Sequence, residues 1–525
     1  MTVPLRHEEY FRNPILPGSH PDPSICRVDD DYYIVTSSFE FFPGLPLFHS
    51  RDLVNWRPLG HVLTRPEQLN LDGIGPSRGL FAPTIRHDNG VFYVTCTLVD
   101  GSGPSGNFIV TADDPCGPWS DPIWIGGADG FDPSLLFDND GRLWFCATTE
   151  TDPADRPGRT TVWLQELDRL SFQLVGSRFE IWTGAMRDAR WAEAPHVYRI
   201  GDTYYLVTAE GGTSFEHAVV VARSDNVAGP YVGCPRNPVL TARHLGPHAT
   251  VTATGHTDLV QTPDGAWWAV LLGVRDQETG CLGRETFLTP VEWDAEWPVF
   301  SRGTGRVRLH ERRPELPNAP WPTVAANDSF DATTLGPSWM FVRTPREQWW
   351  SLTQRPGHLR LQLRPETLAD QANPSFVARR LQHRNFSAHT SIEFEPQFNG
   401  DCAGVAVYHS GPHHIRFEVA GVGRRVARVI RRLADTEEIV GQRDVETATV
   451  RLGVEGRQGL LEFRIADGEG NWQLIAQVDS VGLSASVAGG FFGVVMGMFG
   501  TSSGIPTTAV ADFDGFEYVG VGPCC

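Results

Sequence analysis

The 525-residue chain reads as an all-β protein, a five-bladed β-propeller followed by a jelly-roll-like β-sandwich. Three observations predict this. A strand–turn–strand pattern returns five times within the first 270 or so residues, a proline-rich seam follows it, and beyond the seam short alternating runs continue with almost no helical period.

The five copies begin at Asp22-Pro23, Ala82-Pro83, Asp132-Pro133, Glu193-Ala194-Pro195 and His256-Thr257-Asp258. Pro23, Pro83, Pro133, Pro195 and Asp258 stand 60, 50, 62 and 63 residues apart. In each copy a few alternating apolar and polar residues lead into a turn, and the chain resumes as an aromatic and β-branched run. The turns are Asp29-Asp30-Asp31, Asp88-Asn89-Gly90, Asp138-Asn139-Asp140-Gly141, Gly201-Asp202 and Pro263-Asp264-Gly265, so every copy carries a hairpin signal. One hairpin cannot bury its apolar face alone, whereas four-stranded blades packed around an axis can. The competing reading is an open β-sandwich with coincident turn motifs.

The repeat stops after Gly283–Trp293. The first domain is therefore placed at residues 1–309, a proline-rich linker at 310–324 (Pro314, Pro317, Pro320 and Pro322) and the sandwich at 325–525. In the last part, His358–Leu363, Thr390–Phe394, Ala403–Tyr408 and Leu460–Ile465 alternate at strand spacing. This module reads as a packing partner that shapes the propeller mouth in preference to a carbohydrate binder. Asp512 and Asp514 suit a calcium loop or a surface turn.

Composition narrows the partners. Lys+Arg 44 against Asp+Glu 63 leaves a net charge of −19, which repels polyphosphates and makes nucleic acid and anionic membranes poor partners. A small neutral oligosaccharide fits better, and a homo-oligomer stays open. Sixteen Trp and 29 Phe supply flat faces that pack a β-rich core or stack on sugar rings. No apolar stretch suits a signal peptide or a membrane span, and a cytoplasmic location is expected. Cys26, Cys96 and Cys146 read as small buried hydrophobes, and Cys524 and Cys525 as exposed and without a catalytic task.

The first strand of each blade lines the channel of a propeller, so its opening residues converge. Here they offer Asp22, Asp132 and Glu193, with His256, Phe81 and Phe131 between them. Three crowded acids cannot all ionise easily, and at least one should keep its proton to a higher pH than usual. Glycosidic cleavage needs that pairing, a protonated acid for the leaving oxygen and an ionised carboxylate opposite. Each Asp-Pro alone reads as a turn, but two copies lack an acid at the head, so the fold itself does not require one.

Asn13–Ile25, Ser37–Gly44, His49–Trp56, Gly130–Leu135, Trp191–His196 and Gly283–Thr286 together resemble glycoside hydrolase family 43, in particular its β-xylosidases and α-L-arabinofuranosidases with a C-terminal sandwich. The resemblance is specific over the propeller and looser over residues 325 to 525. It implies an inverting mechanism with Asp22 as general base, Glu193 as general acid and Asp132 as the residue that raises and orients the acid. It also implies that Arg284 bonds sugar hydroxyls, with a structural ion pair as the plainer role. His256 matches a family histidine beside which calcium lies in several members, so no cofactor is required and Ca2+ near His256 is the one candidate metal. Leu80-Phe81-Ala82-Pro83 departs from the Ile-Trp-Ala-Pro of many xylosidases and alters the aromatic wall. Phe39, Phe81 and Phe131 are expected as pocket walls, and Phe41 and Phe42 as packing.

The leading expectation is an exo-acting β-D-xylosidase on short xylo-oligosaccharides. The alternative is an α-L-arabinofuranosidase or a bifunctional enzyme, and the non-enzyme alternative is a carbohydrate-binding propeller scaffold.

Overall fold

A computed structural model describes residues 9–151, 155–186, 188–246, 248–275, 281–322, 327–467 and 470–521. Cys524 and Cys525 lie outside the described residues. Among the described residues the only α-helix is Ala485–Ala488, two short 3-10 turns lie at Arg243–Leu245 and Ser480–Leu483, and strands carry the rest of the regular structure.

Five antiparallel sheets follow one another along the chain. They begin with Ser24–Val28 (sheet I), Gly79–Leu80 with Thr84–Asp88 (sheet II), Phe131–Phe137 (sheet III), Glu193–Ile200 (sheet IV) and Val251–Gln261 (sheet V). The strands Ser24–Val28, Thr84–Asp88, Phe131–Phe137, Glu193–Ile200 and Val251–Gln261 touch in that cyclic order, and the last returns to the first. This closure gathers residues from five distant segments around one axis. Asn89-Gly90 turns sheet II with φ of 50° and 82°, the left-handed pair that a two-residue hairpin demands and that Asn and Gly tolerate.

The ring is closed by side chains as well as by strands. Asn13 donates to the Leu288 carbonyl at 2.8 Å and accepts from the Leu288 amide at 2.9 Å, which stitches the N-terminal segment to sheet V. Tyr10–Arg12 pairs with His310–Arg312, so the segment read as linker opens as a strand. Its remainder is pinned to sheet I: Arg313 and the Ala319 amide bond Asp52, and the Trp321 indole donates to the Asn55 carbonyl. Proline marked the change of pattern without making the segment a free tether. The expected boundary at residue 325 lies outside the described residues.

The C-terminal part packs a seven-stranded sheet against a six-stranded one. Asp512 and Asp514 belong to strand Val510–Gly520, and Asp512 accepts from both Arg355 and Arg360. Neither a calcium loop nor a turn describes them, because the alternation of that strand presents Asp512 to two arginines. Cys26, Cys96 and Cys146 are buried free thiols.

The two parts share one core. A single buried cluster runs from Val35, Leu47 and Leu80 of sheets I and II to Trp339, Leu361 and Phe513 of the sandwich. Phe41–Phe42 adds a two-residue pairing with Phe341–Val342. Burying aromatic and aliphatic area on both sides of the seam fixes the sandwich against the ring.

Candidate active site

The carboxylates stand where the inner strands begin, and the backbone there is bent to present them. Asp22, Asp132, Ala194 and His256 have φ of 56°, 54°, 52° and 50°. Such left-handed conformations cost a non-glycine residue on the order of 1–3 kcal/mol each and persist where surrounding structure enforces them. The strand register slips at the same places, between Phe131 and Ser134, Glu193 and His196, and Gly255 and Thr257. Bulges of this kind re-aim side chains, here toward the axis. Glycine 255 is required by close approach, since a Cβ on it would lie 2.4 Å from the His217 ring.

Asp22, Asp132 and Glu193 border one cavity of about 380 Å³. Phe39, Phe81, Phe131, His256 and Arg284 border it too, so the structure brings together all eight residues that the sequence singled out. Phe41 and Phe42 instead lie in the packing, Phe41 stacked on Phe492 with centroids 4.5 Å apart.

The three acids have different surroundings. Asp22 accepts from the Ser37 hydroxyl at 2.6 Å and from Arg284 Nη1 at 2.8 Å, and His256 Nδ1 lies 3.6 Å away. Burial would raise its pKa, but Arg284, His256 and Ser37 outweigh burial and hold it below the usual carboxylate range. Asp132 accepts only a backbone bond, from the Ala194 amide at 3.1 Å. Burial, reinforced by the Asp22 charge, pushes it up to about 7. Glu193 is driven well above its ordinary value by burial and then by Asp132 and Asp22. The surroundings therefore favour the ionised form of Asp22 and the protonated form of Glu193, and the bond from Ala194 to Asp132 fixes the peptide that carries Glu193.

Several residues bordering the cavity escaped sequence reasoning. Trp191 belongs to the Trp191-Ala-Glu193 motif and could have been named from it. Thr213 and His217 come from the loop between strands Thr203–Glu210 and Ala218–Ser224, which carries no motif, and Phe491 comes from the sandwich. Arg284 joins these parts: Nη1 also donates to the Thr213 hydroxyl at 2.8 Å and Nε to the Phe491 carbonyl at 3.1 Å. The Phe491 ring stands 6.1 Å from Phe39 and from Phe81. Gly490 before it has φ 82°, and a Cβ there would come within 2.5 Å of Ser77 Oγ, so only glycine lets this turn reach the cavity.

Below the acids the axis carries its own ion pair. Arg86 donates to Asp258 at 2.8 Å and 3.2 Å and to His196 Nδ1 at 2.9 Å, and Tyr198 also donates to Asp258. Burial draws the pKa of His196 down to about 3, which keeps it neutral and able to accept from the guanidinium.

The model of glycosyl hydrolases family 43 matches residues 11–298, and a β-xylosidase C-terminal concanavalin A-like domain matches residues 327–519. The chain belongs to glycosyl hydrolases family 43. It is 38% identical to a xylosidase/arabinosidase of Butyrivibrio fibrisolvens over 96% of this chain and 98% of that protein. It is 39% identical to a non-reducing end α-L-arabinofuranosidase of Bacteroides ovatus, over 97% and 95%. The crystal structure of a xylan β-1,4-xylosidase from Bacillus halodurans C-125 superposes with a TM-score of 0.91 at 34% identity, covering 97% of this chain and 99% of that one. Family 43 and its β-xylosidase C-terminal domain thus account for both parts of the chain.

Proposed function

We propose that this family 43 enzyme is an exo-acting, inverting β-D-xylosidase that removes terminal xylose from xylo-oligosaccharides. The observation that carries the reading is the convergence of Asp22, Asp132 and Glu193 on one cavity walled by phenylalanines, with Asp22 bonded to Arg284 and Ser37 and Glu193 set among carboxylates. The ring of five sheets is read as a five-bladed propeller over residues 1–309 that gathers the acids, and the sandwich as the part that closes the pocket with Phe491.

In this mechanism Glu193 gives its proton to the glycosidic oxygen while Asp22 takes a proton from water, whose oxygen attacks the anomeric carbon from the opposite face. The bond to the leaving oxygen breaks as the new one forms, and the configuration inverts. Asp132 does not touch the bond; it keeps Glu193 protonated and in place. A cavity of about 380 Å³ suits one pentose ring, with Phe39, Phe81, Phe131 and Phe491 as apolar walls. The larger space beyond Trp191 and Thr213, which shares Arg284 and Phe491 with this cavity, suits the leaving sugar.

Calcium beside His256 does not fit the residues present. His256 is turned to Asp22, and the neighbouring axial groups His196 and Asp258 already bind the Arg86 guanidinium, which leaves these groups engaged with a fixed cation. Arg86 is proposed to serve the axis as its cation. Activity that survives exhaustive chelation supports this.

A second reading, α-L-arabinofuranosidase, is favoured by the Bacteroides ovatus relative. Rates on 4-nitrophenyl β-D-xylopyranoside and α-L-arabinofuranoside rank the two. Proton NMR of the first product from the xyloside should reveal α-xylose; β-xylose would indicate retention and overturn the inverting assignment.

A further inference from the structure

A second cavity, of about 450 Å³, lies in the seam between sheet I and the sandwich. Arg57, Arg379, Arg380 and His20 border it, and none of its bordering residues is Asp or Glu. That is unusual in a chain whose acids outnumber its bases by 63 to 44.

Arg380 is the telling residue. Five arginines are buried to a comparable depth: Arg275, Arg284, Arg343, Arg380 and Arg416. Arg275 pairs with Glu285, Arg284 with Asp22, and Arg416 with Glu418 and Glu437. Arg343 donates to the Ile74 and Ala372 carbonyls and has Glu40 beside it. Arg380, only 7% exposed, has one side-chain hydrogen bond among the described residues, from Nε to the Ser19 carbonyl at 2.7 Å. Its guanidinium stacks on Phe492, with the carbon 5.3 Å from the ring centroid. Burial alone, with no anion to oppose it, draws its pKa down to about 9. A buried charge left unpaired is costly, and a planar guanidinium fork matches carboxylate and phosphate oxygens.

His20 borders the same cavity. It is 6% exposed, packs edge-on against Phe48, and its Nδ1 is buried with no hydrogen-bond partner. The indole face of Trp321 is occupied, with Arg57 4.0 Å from its centroid and His49 5.1 Å away. A stacked neutral sugar is therefore a poor occupant.

We infer that the seam cavity is a binding site for a small oxyanion, a carboxylate or phosphate group on a small molecule, held by the Arg380 fork with Arg57 at the rim. The site is separate from the cleft yet touches it through the chain, since Arg380 holds Ser19 while the next residues, His20 and Asp22, lead into the base.

Isothermal titration of the full chain with inorganic phosphate and, separately, D-glucuronate tests this, at constant ionic strength set by sodium chloride. The expected result is saturable binding of one anion per chain, matched by a saturable rise in Tm. Binding of phosphate alone assigns the phosphate class, and binding of glucuronate alone the sugar acid. Arg380→Gln should abolish it and, without anion, melt no lower than wild type, because the variant no longer buries an unpaired charge. Arg57→Gln, at the accessible rim, should weaken it at least several-fold and decides the matter where Arg380→Gln does not fold. Asp22→Asn, whose lesion lies in the cleft, should leave it intact. No saturable binding of either anion, unchanged binding in Arg57→Gln, or displacement by xylose would overturn the inference.

Discussion

Asp22 and Glu193 are both buried carboxylates, and they differ because of what each can bond. Asp22 has a guanidinium and a hydroxyl; Glu193 has carboxylate neighbours. A pH profile of kcat/KM should record this. The proposed mechanism requires Glu193 protonated and Asp22 ionised, so it predicts that activity is lost as pH rises through the raised pKa of Glu193. It is lost on the acid side only as pH falls through the depressed pKa of Asp22, below the ordinary carboxylate range. Asp132→Asn removes a charge that lifts Glu193, and the alkaline limb should move to lower pH. A limb that stays in place would show that Asp132 acts through the Ala194 bond alone. Arg284→Ala should raise the acid limb, because the base loses the guanidinium that favours its ionised form.

At the scale of elements, the inner strands and the glycine turns decide whether the groups meet. Gly255→Ala would place a methyl group against the His217 ring beneath the His256 bulge. A marked loss of turnover is expected, read in the same assay as the wild type. Phe491→Ala opens one wall without touching an acid; KM for the aryl xyloside should rise more than kcat falls. Breaking the axial pair by Asp258→Ala leaves Arg86 buried and unpaired, at a cost of about 3–5 kcal/mol, which urea denaturation would measure. Much of this was legible in the sequence. Asp-Pro and Glu-Ala-Pro heads followed by hairpin turns marked the strands that meet in the ring, and the acids at those heads border the candidate cavity. Asp258 was visible in its motif but not its role, because Arg86 comes from another copy and only ring closure makes them neighbours. Phe491 was illegible because Gly490-Phe491-Phe492-Gly493 looks like any apolar turn until the sandwich docks.

For the whole molecule, the shared core has a consequence. Phe41–Phe42 pairs across the seam, the 310–322 segment is clamped to sheet I, and Arg284 bonds the Phe491 carbonyl. The two parts should therefore unfold together, in one calorimetric transition, where two independent domains would give two. Separating the ring from the sandwich should abolish activity, since it uncovers a common core and removes a pocket wall. The sequence marked a change of texture near residue 325. It could not show that the apolar faces on either side cover each other, because pairing between distant faces leaves no local period.

The opposed states of the two acids are tested most directly by comparing Glu193→Gln and Asp22→Asn with wild type on xylobiose, with circular dichroism confirming the fold. Each substitution keeps the shape and removes the ability to give or take the proton. The account predicts that kcat/KM falls by about 10²-fold or more in both. A folded variant of either kind that hydrolyses xylobiose at close to the wild-type rate would contradict it.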